Sequence, residues 1–65
     1  MRRAALEAKR LALLAEGEAL VKEHERLRVT PADSPEHAAH RERMRLHRER
    51  VRSYLRELRD EDRDN

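Results

Sequence analysis

The sequence predicts an all-α fold: an antiparallel two-helix hairpin that self-associates into a four-helix bundle. Charged residues make up 46% of the 65 residues and aromatic residues 2%, there is one glycine, and the two prolines, Pro31 and Pro35, lie close together near the middle. This composition favours helices and leaves one place for the chain to turn. A chain of this length holds one small domain, which we assign to residues 1–65.

Two segments rich in the strongest helix formers flank the prolines. Residues 2–28 are mostly Ala, Leu, Glu, Lys and Arg, so we expect one helix about 40 Å long. Residues 36–60 have the same character and form the second predicted helix. The turn is then 29–35, and the acidic tail, 61–65, is expected to be frayed.

The turn contains the signals that end one helix and start the next. Pro31 biases Thr30 away from helical geometry, and Pro35 has the backbone angle of a first helical position. Ser34 is the expected N-cap of the second helix, and the carboxylate of Glu36 favours the positive end of the helix dipole. The two helices are therefore expected to fold back on each other.

Each predicted helix carries one stripe with alternating steps of three and four residues, which is typical of a coiled coil. We call the two stripes the seam; they are Leu6, Arg10, Leu13, Gly17, Leu20, His24 and Leu27, and His37, His40, Met44, His47, Val51, Tyr54 and Leu58. If the chain reverses at Ala32, opposed residues have numbers that sum to 64, and every member finds a partner. This register places Gly17 beside His47 and Arg10 over Tyr54 as a cation–π pair.

One flank of the seam provides a second indication of the register. Three residues of the first helix face residues of opposite charge on the second, and no pair has like charges. The predicted pairs are Lys9 with Glu57, Glu16 with Arg50, and Glu23 with Arg43.

The other flank carries an apolar ridge, consisting of Leu11, Leu14, Val21 and Leu55. A single hairpin would leave this ridge in water, and one thin seam buries too little apolar surface to offset the cost of ordering the chain. We therefore expect a homodimer whose interface is the ridge, with a tetramer or a different helical protein as alternative partners. The corresponding function is a small interaction or structural module.

Several other functions have little support in the sequence. The chain has no cysteine, two serines and no glycine-rich phosphate loop, and two helices form no deep pocket, so we do not expect an enzyme. No apolar run approaches the roughly 20 residues of a membrane span, so we expect a cytoplasmic protein without a membrane partner. Abundant Arg, Ala and Leu with few Lys suggest a bacterial source.

All four histidines fall on the seam, which supports metal binding as an alternative function. A site for Zn or Cu would use His24, His37, His40, Met44 and His47. The competing interpretation is a set of half-buried polar layers that mark the register. A third interpretation is a pH response, because protonation of both His24 and His40 would place two like charges in the seam near pH 6.

The second helix is rich in arginine, which makes nucleic acid a further candidate partner. Two of the six arginines between residues 41 and 52 are assigned to the flank, and the others are expected on more than one helix face. Candidate phosphate contacts are Arg45, Arg48 and Arg52. The sole aromatic residue, Tyr54, belongs to the seam, so no platform for stacking single-stranded bases is expected.

The predicted architecture resembles that of Rop-like proteins, helical hairpins of similar size that dimerise into four-helix bundles and bind paired RNA loops. The likeness is one of shape, because the seam histidines and Gly17 depart from the small and large apolar layers of that family. The resemblance implies a nucleic-acid-binding hairpin dimer as a second alternative function.

Overall fold

The computed structural model describes residues 2–63, which form two α-helices packed against each other. Helix α1 is Arg2–Leu27 and helix α2 is Pro35–Arg63. The molecule measures 50 × 15 × 12 Å, the shape of two helices lying side by side, and residues 2–63 contain no strand. The predicted helical hairpin is thus confirmed.

The turn between the helices is closed by backbone hydrogen bonds and by a side-chain cap. The Thr30 N–H donates to the carbonyl of Leu27 at 3.0 Å, and the Ser34 N–H donates to the carbonyl of Pro31 at 3.1 Å. The Ser34 hydroxyl accepts from the His37 N–H at 3.3 Å, which confirms Ser34 as the N-cap of α2. No residue from 2 to 63 has a positive φ, so the turn needs no glycine.

Helix α2 is longer than the sequence analysis predicts. It begins at Pro35 and continues to Arg63, three residues beyond the predicted helix end at residue 60. The last turn contains Arg63, whose charge favours the negative end of the helix dipole, and also Asp60, Glu61 and Asp62, whose charges oppose it. Residues 64 and 65 of the predicted tail lie outside the described residues.

Contacts across the seam confirm the predicted register. A Cβ placed on Gly17 would lie 3.7 Å from Nε2 of His47, so these two residues face each other. The rings of His24 and His40 have centroids 5.8 Å apart. Both contacts join residues whose numbers sum to 64, as expected for a reversal at Ala32.

The core along this seam is thin. Among the described side chains, four are less than 9% exposed, and one of these is polar: they are Leu6, Leu20, Leu27 and His40. Leu13 and Val51 are only partly buried. The hairpin therefore buries little apolar surface by itself.

One predicted seam contact is wrong. Arg10 does not lie over Tyr54, because its guanidinium donates to Glu7 at 2.5 Å and 3.2 Å on its own helix. The carboxylate attracts the guanidinium more strongly than the face of a phenol ring does. Accordingly, the pKa of Arg10 is raised, chiefly by its hydrogen bond to Glu7.

Gly17 provides a test of this register. A Cβ at this position would be in ordinary van der Waals contact with the His47 ring, at 3.7 and 3.8 Å, so alanine fits. Because glycine weakens a helix interior, we expect Gly17→Ala to raise the free energy of unfolding by about 0.5–1 kcal/mol in urea denaturation. Gly17→Leu is the matched contrast: its longer side chain would collide with the ring and lower stability. A loss of stability with alanine would contradict the register.

Candidate interaction surfaces

The flank of opposite charges forms as predicted, and we call it the ion-pair flank. Nζ of Lys9 lies 2.6 Å from a carboxylate oxygen of Glu57. Arg50 donates to Glu16, and Arg43 donates to Glu23. All three pairs link α1 to α2 at intervals of seven residues. Each pair is weak because at least one partner is exposed, but all three favour the same register.

Two of these pairs include a seam histidine that the sequence analysis did not assign to them. Nδ1 of His40 lies 2.5 Å from Oε1 of Glu23, and both oxygens of Glu23 also bond to Arg43. The Glu23 side chain is 15% exposed and that of His40 is 8% exposed. Glu23 is therefore a shielded carboxylate held by two donors from the opposite helix.

The same arrangement recurs one heptad away. Nδ1 of His47 lies 2.5 Å from Oε1 of Glu16, and Arg50 donates to the other oxygen of Glu16. In both clusters the arginine follows the histidine by three residues, so the two donors lie on neighbouring positions of one helix face. That spacing, His40 with Arg43 and His47 with Arg50, is the signal in the sequence that could have identified the clusters.

The carboxylates determine which imidazole nitrogen carries the proton. An ionised carboxylate only accepts hydrogen bonds, so we assign the proton to Nδ1 of both His40 and His47. In the neutral ring, Nε2 is then the basic nitrogen. The predicted pH response is based on His24 and His40 alone, but the nearest charged group to His40 is the carboxylate of Glu23.

The five predicted metal ligands are only partly brought together. His37 uses Nε2 to contact the carbonyl of Thr30 at 3.1 Å. His24, His40, Met44 and His47 line one open groove of about 460 Å³. Within residues 2–63, no three His, Asp or Glu side chains form a group that would hold a metal ion. The described contacts thus bring together His24 and His40, with the thioether of Met44 in the same groove.

The apolar ridge is exposed on the side of the seam opposite the ion-pair flank. Its residues are 50–64% exposed: Leu11 54%, Leu14 53%, Val21 64% and Leu55 50%. An open groove of about 600 Å³ runs beside the ridge and includes Leu14, Val21 and Leu55. Gly17, Val21 and His47 line this groove and also the histidine groove, so the two are neighbours. Together they form one long, mostly apolar depression.

The three predicted phosphate contacts differ in their surroundings. Arg45 donates to Glu42 at 2.5 Å and to Glu49 at 2.7 Å, so its charge is compensated on its own helix. The hydrogen bond to Glu42 is the main cause that raises the pKa of Arg45. Arg48 and Arg52 are exposed and have no ion-pair partner within the described part of the chain.

Comparisons with known proteins found no matching family model, no matching curated protein and no matching solved structure. In the described residues, neither helix combines the length and apolar character needed to cross a membrane. The interpretation of these surfaces therefore depends on their geometry and charge.

The Glu23 cluster leads to a prediction about acid stability. The hydrogen bond from Arg43, followed by that from His40, lowers the pKa of Glu23 from 4.5 to about 2. A carboxylate with a lowered pKa stabilises the folded state fully above its unfolded pKa, and this contribution disappears as the pH falls through the folded pKa. We therefore expect Glu23→Gln to destabilise the hairpin at pH 7 and to have progressively less effect between pH 4.5 and 2.

The measurement is the thermal midpoint at pH 7, 4 and 2.5 for the wild type and the variant. Glu18→Gln is the control, because Glu18 is exposed and forms no ion pair within residues 2–63. An equal effect of Glu23→Gln at pH 7 and pH 2.5 would show that the cluster does not stabilise the fold through ionised Glu23.

Proposed function

We propose that the protein is a noncatalytic interaction module that acts as a homo-oligomer, with two hairpins joined through the apolar ridge into a four-helix bundle. The observation that carries the proposal is the exposure of Leu11, Leu14, Val21 and Leu55 along one face, each at least half exposed. Contiguous apolar surface of this kind is typical of a protein interface. A soluble, cytoplasmic location is part of the proposal.

The small core supports a second copy as the partner. Three leucines are the only apolar side chains below 9% exposure in the described part of the chain. Domains of this size rarely reach useful stability from so little burial, and association with an identical hairpin would remove further apolar surface from water. The same ridge on both copies also suits a two-fold axis.

The charges around the ridge are compatible with self-association. Glu18 borders the groove together with the cations Arg10 and Lys22. A rim of mixed sign lets two identical surfaces approach without a large net repulsion. A foreign helical protein is the competing occupant, and it predicts a monomer when this chain is studied alone.

Val21 is the residue through which this proposal is best tested. We expect Val21→Glu to raise the dissociation constant at least about 100-fold, because the dimer would bury two unpaired carboxylates. Val29→Glu is the matched control, since Val29 is 92% exposed in the turn and does not belong to the ridge. The readout is sedimentation equilibrium from 1 to 200 µM, together with helicity from circular dichroism.

The wild type and Val29→Glu should sediment as dimers or tetramers, and Val21→Glu as a monomer of lower helicity. A wild-type hairpin that is fully folded and monomeric at every concentration would contradict self-association. Equal loss of association in both variants would show that the ridge is not the interface.

Metal binding by the histidine groove is a second candidate, favoured by the 5.8 Å separation of the His24 and His40 rings. Glu23 holds Nδ1 of His40, which leaves Nε2 as a ligand in the manner of carboxylate-supported metal histidines. Met44 would add a thioether, which favours copper over zinc.

If the groove binds metal, one equivalent of Cu²⁺ or Zn²⁺ at neutral pH should raise the melting temperature, and His40→Ala should abolish the rise. His37→Ala serves as the control, because His37 contacts the turn carbonyl instead. The same rise in both variants, or no rise in the wild type, would exclude this candidate.

A further inference from the structure

One face of α2 is occupied by arginine along most of its length. We call these residues the arginine stripe; they are Arg41, Arg45, Arg48, Arg52, Arg56, Arg59 and Arg63. Successive members are four, three, four, four, three and four residues apart. At about 100° per residue, the stripe lies within an arc of about 80° and extends about 33 Å along the helix. The expectation that these arginines occupy more than one face is therefore wrong.

The continuation of α2 to Arg63 extends the stripe beyond the predicted helix end. Every arginine of the stripe is exposed. No acidic residue between positions 41 and 63 falls within the same arc; the nearest, Glu49, lies at its edge. Arg52, Arg56 and Arg59 line a shallow groove of about 550 Å³.

Most of the stripe lacks compensating charge. Arg45 is paired with Glu42 and Glu49. Five further arginines of the stripe form no ion pair within residues 2–63. They are Arg41, Arg48, Arg52, Arg56 and Arg59. Among the other described arginine side chains, those at 10, 28, 43 and 50 contact a glutamate, whereas Arg3 and Arg26 form no ion pair within residues 2–63.

Such an arrangement reduces the stability of the isolated helix, since like charges three or four residues apart repel each other. An external polyanion would relieve this repulsion. We propose that the arginine stripe binds the phosphate backbone of a nucleic acid duplex. A duplex presents one negative charge per about 1.7 Å of its axis, which is dense enough to supply each guanidinium with a phosphate. Guanidinium groups are well suited to phosphate because they donate in a planar fork.

The composition of the stripe distinguishes a duplex from other polyanions. It contains no aromatic residue, and Tyr54 is partly buried in the seam, so unpaired bases find no aromatic ring on which to stack. The groove beside the stripe includes one apolar residue, Leu55 of the ridge, whereas a helix that binds a lipid surface inserts a whole apolar face. Contacts to phosphate alone carry no sequence information, so binding is independent of base sequence.

The stripe lies beside the apolar ridge and faces away from the ion-pair flank. On α2 the ridge residue Leu55 lies between the seam and the stripe, while Arg43 and Arg50 of the flank face away from the stripe. A dimer that covers its ridge would therefore place the arginine stripes at the edge of its interface. Duplex binding goes beyond the proposed association and does not require it.

The test is fluorescence anisotropy of the full chain with a 20-base-pair duplex, as DNA and as RNA, between 50 and 200 mM salt. Five phosphate contacts predict a slope of log K against log salt of about −4.5 on DNA, a loss of between two and three orders of magnitude across this range. Arg48→Gln with Arg52→Gln should reduce that slope by about 2. Arg45→Gln should reduce it less, because Arg45 is already paired.

Arg3→Gln with Arg26→Gln is the matched control, since it removes the same charge from the exposed surface of α1. Circular dichroism and sedimentation equilibrium verify that each variant keeps the wild-type fold and mass, so a failure of association is distinguished from a failure of duplex binding. Equal effects of the two double variants would overturn the proposal. So would undetectable duplex binding, or tighter binding to single strands, polyglutamate or phosphatidylserine vesicles than to the duplex.

Discussion

The alignment of the two helices depends on two carboxylates of α1, Glu16 and Glu23. Each accepts hydrogen bonds from a histidine in the seam and from an arginine on the flank of α2. Because all four donors come from the opposite helix, sliding one helix along the other would break every one of these bonds. Apolar burial supplies stability here, but the seam has few interlocking apolar layers, so the polar clusters define the register.

The hairpin has three long sides of different character. The ion-pair flank is satisfied within the chain, the apolar ridge is exposed to water, and most of the arginine stripe has no internal counter-charge among the described residues. An exposed apolar surface and a surface with unpaired positive charges bind partners of different chemistry. We propose a second hairpin as the partner of the apolar side and a nucleic acid duplex as the partner of the charged side.

The structure also changes which contacts are assigned to the histidines. Their shared position on the seam predicts one common histidine site. In the structure, however, the nearest polar partner of each of His37, His40 and His47 is an oxygen atom. Helical periodicity specifies the side of the helix on which a ring lies, but the hydrogen-bond partner depends on the side-chain rotamer and on the opposite helix. A pattern of spacing alone cannot supply that information.

The sequence by itself determined the two helices, the Ser34 cap, the register and the three ion pairs, because these follow from propensity, proline placement and periodicity. The arginine stripe was also present in the spacing of residues 41–63, although its full length required the actual end of α2. Only the tertiary structure showed that Glu16 and Glu23 each join a histidine to an arginine, whereas the pairing of Arg10 with Glu7 is a local contact at a spacing of three residues. The partner of each histidine results from competition between acceptors a few ångströms apart. That competition is settled only when both helices are in place.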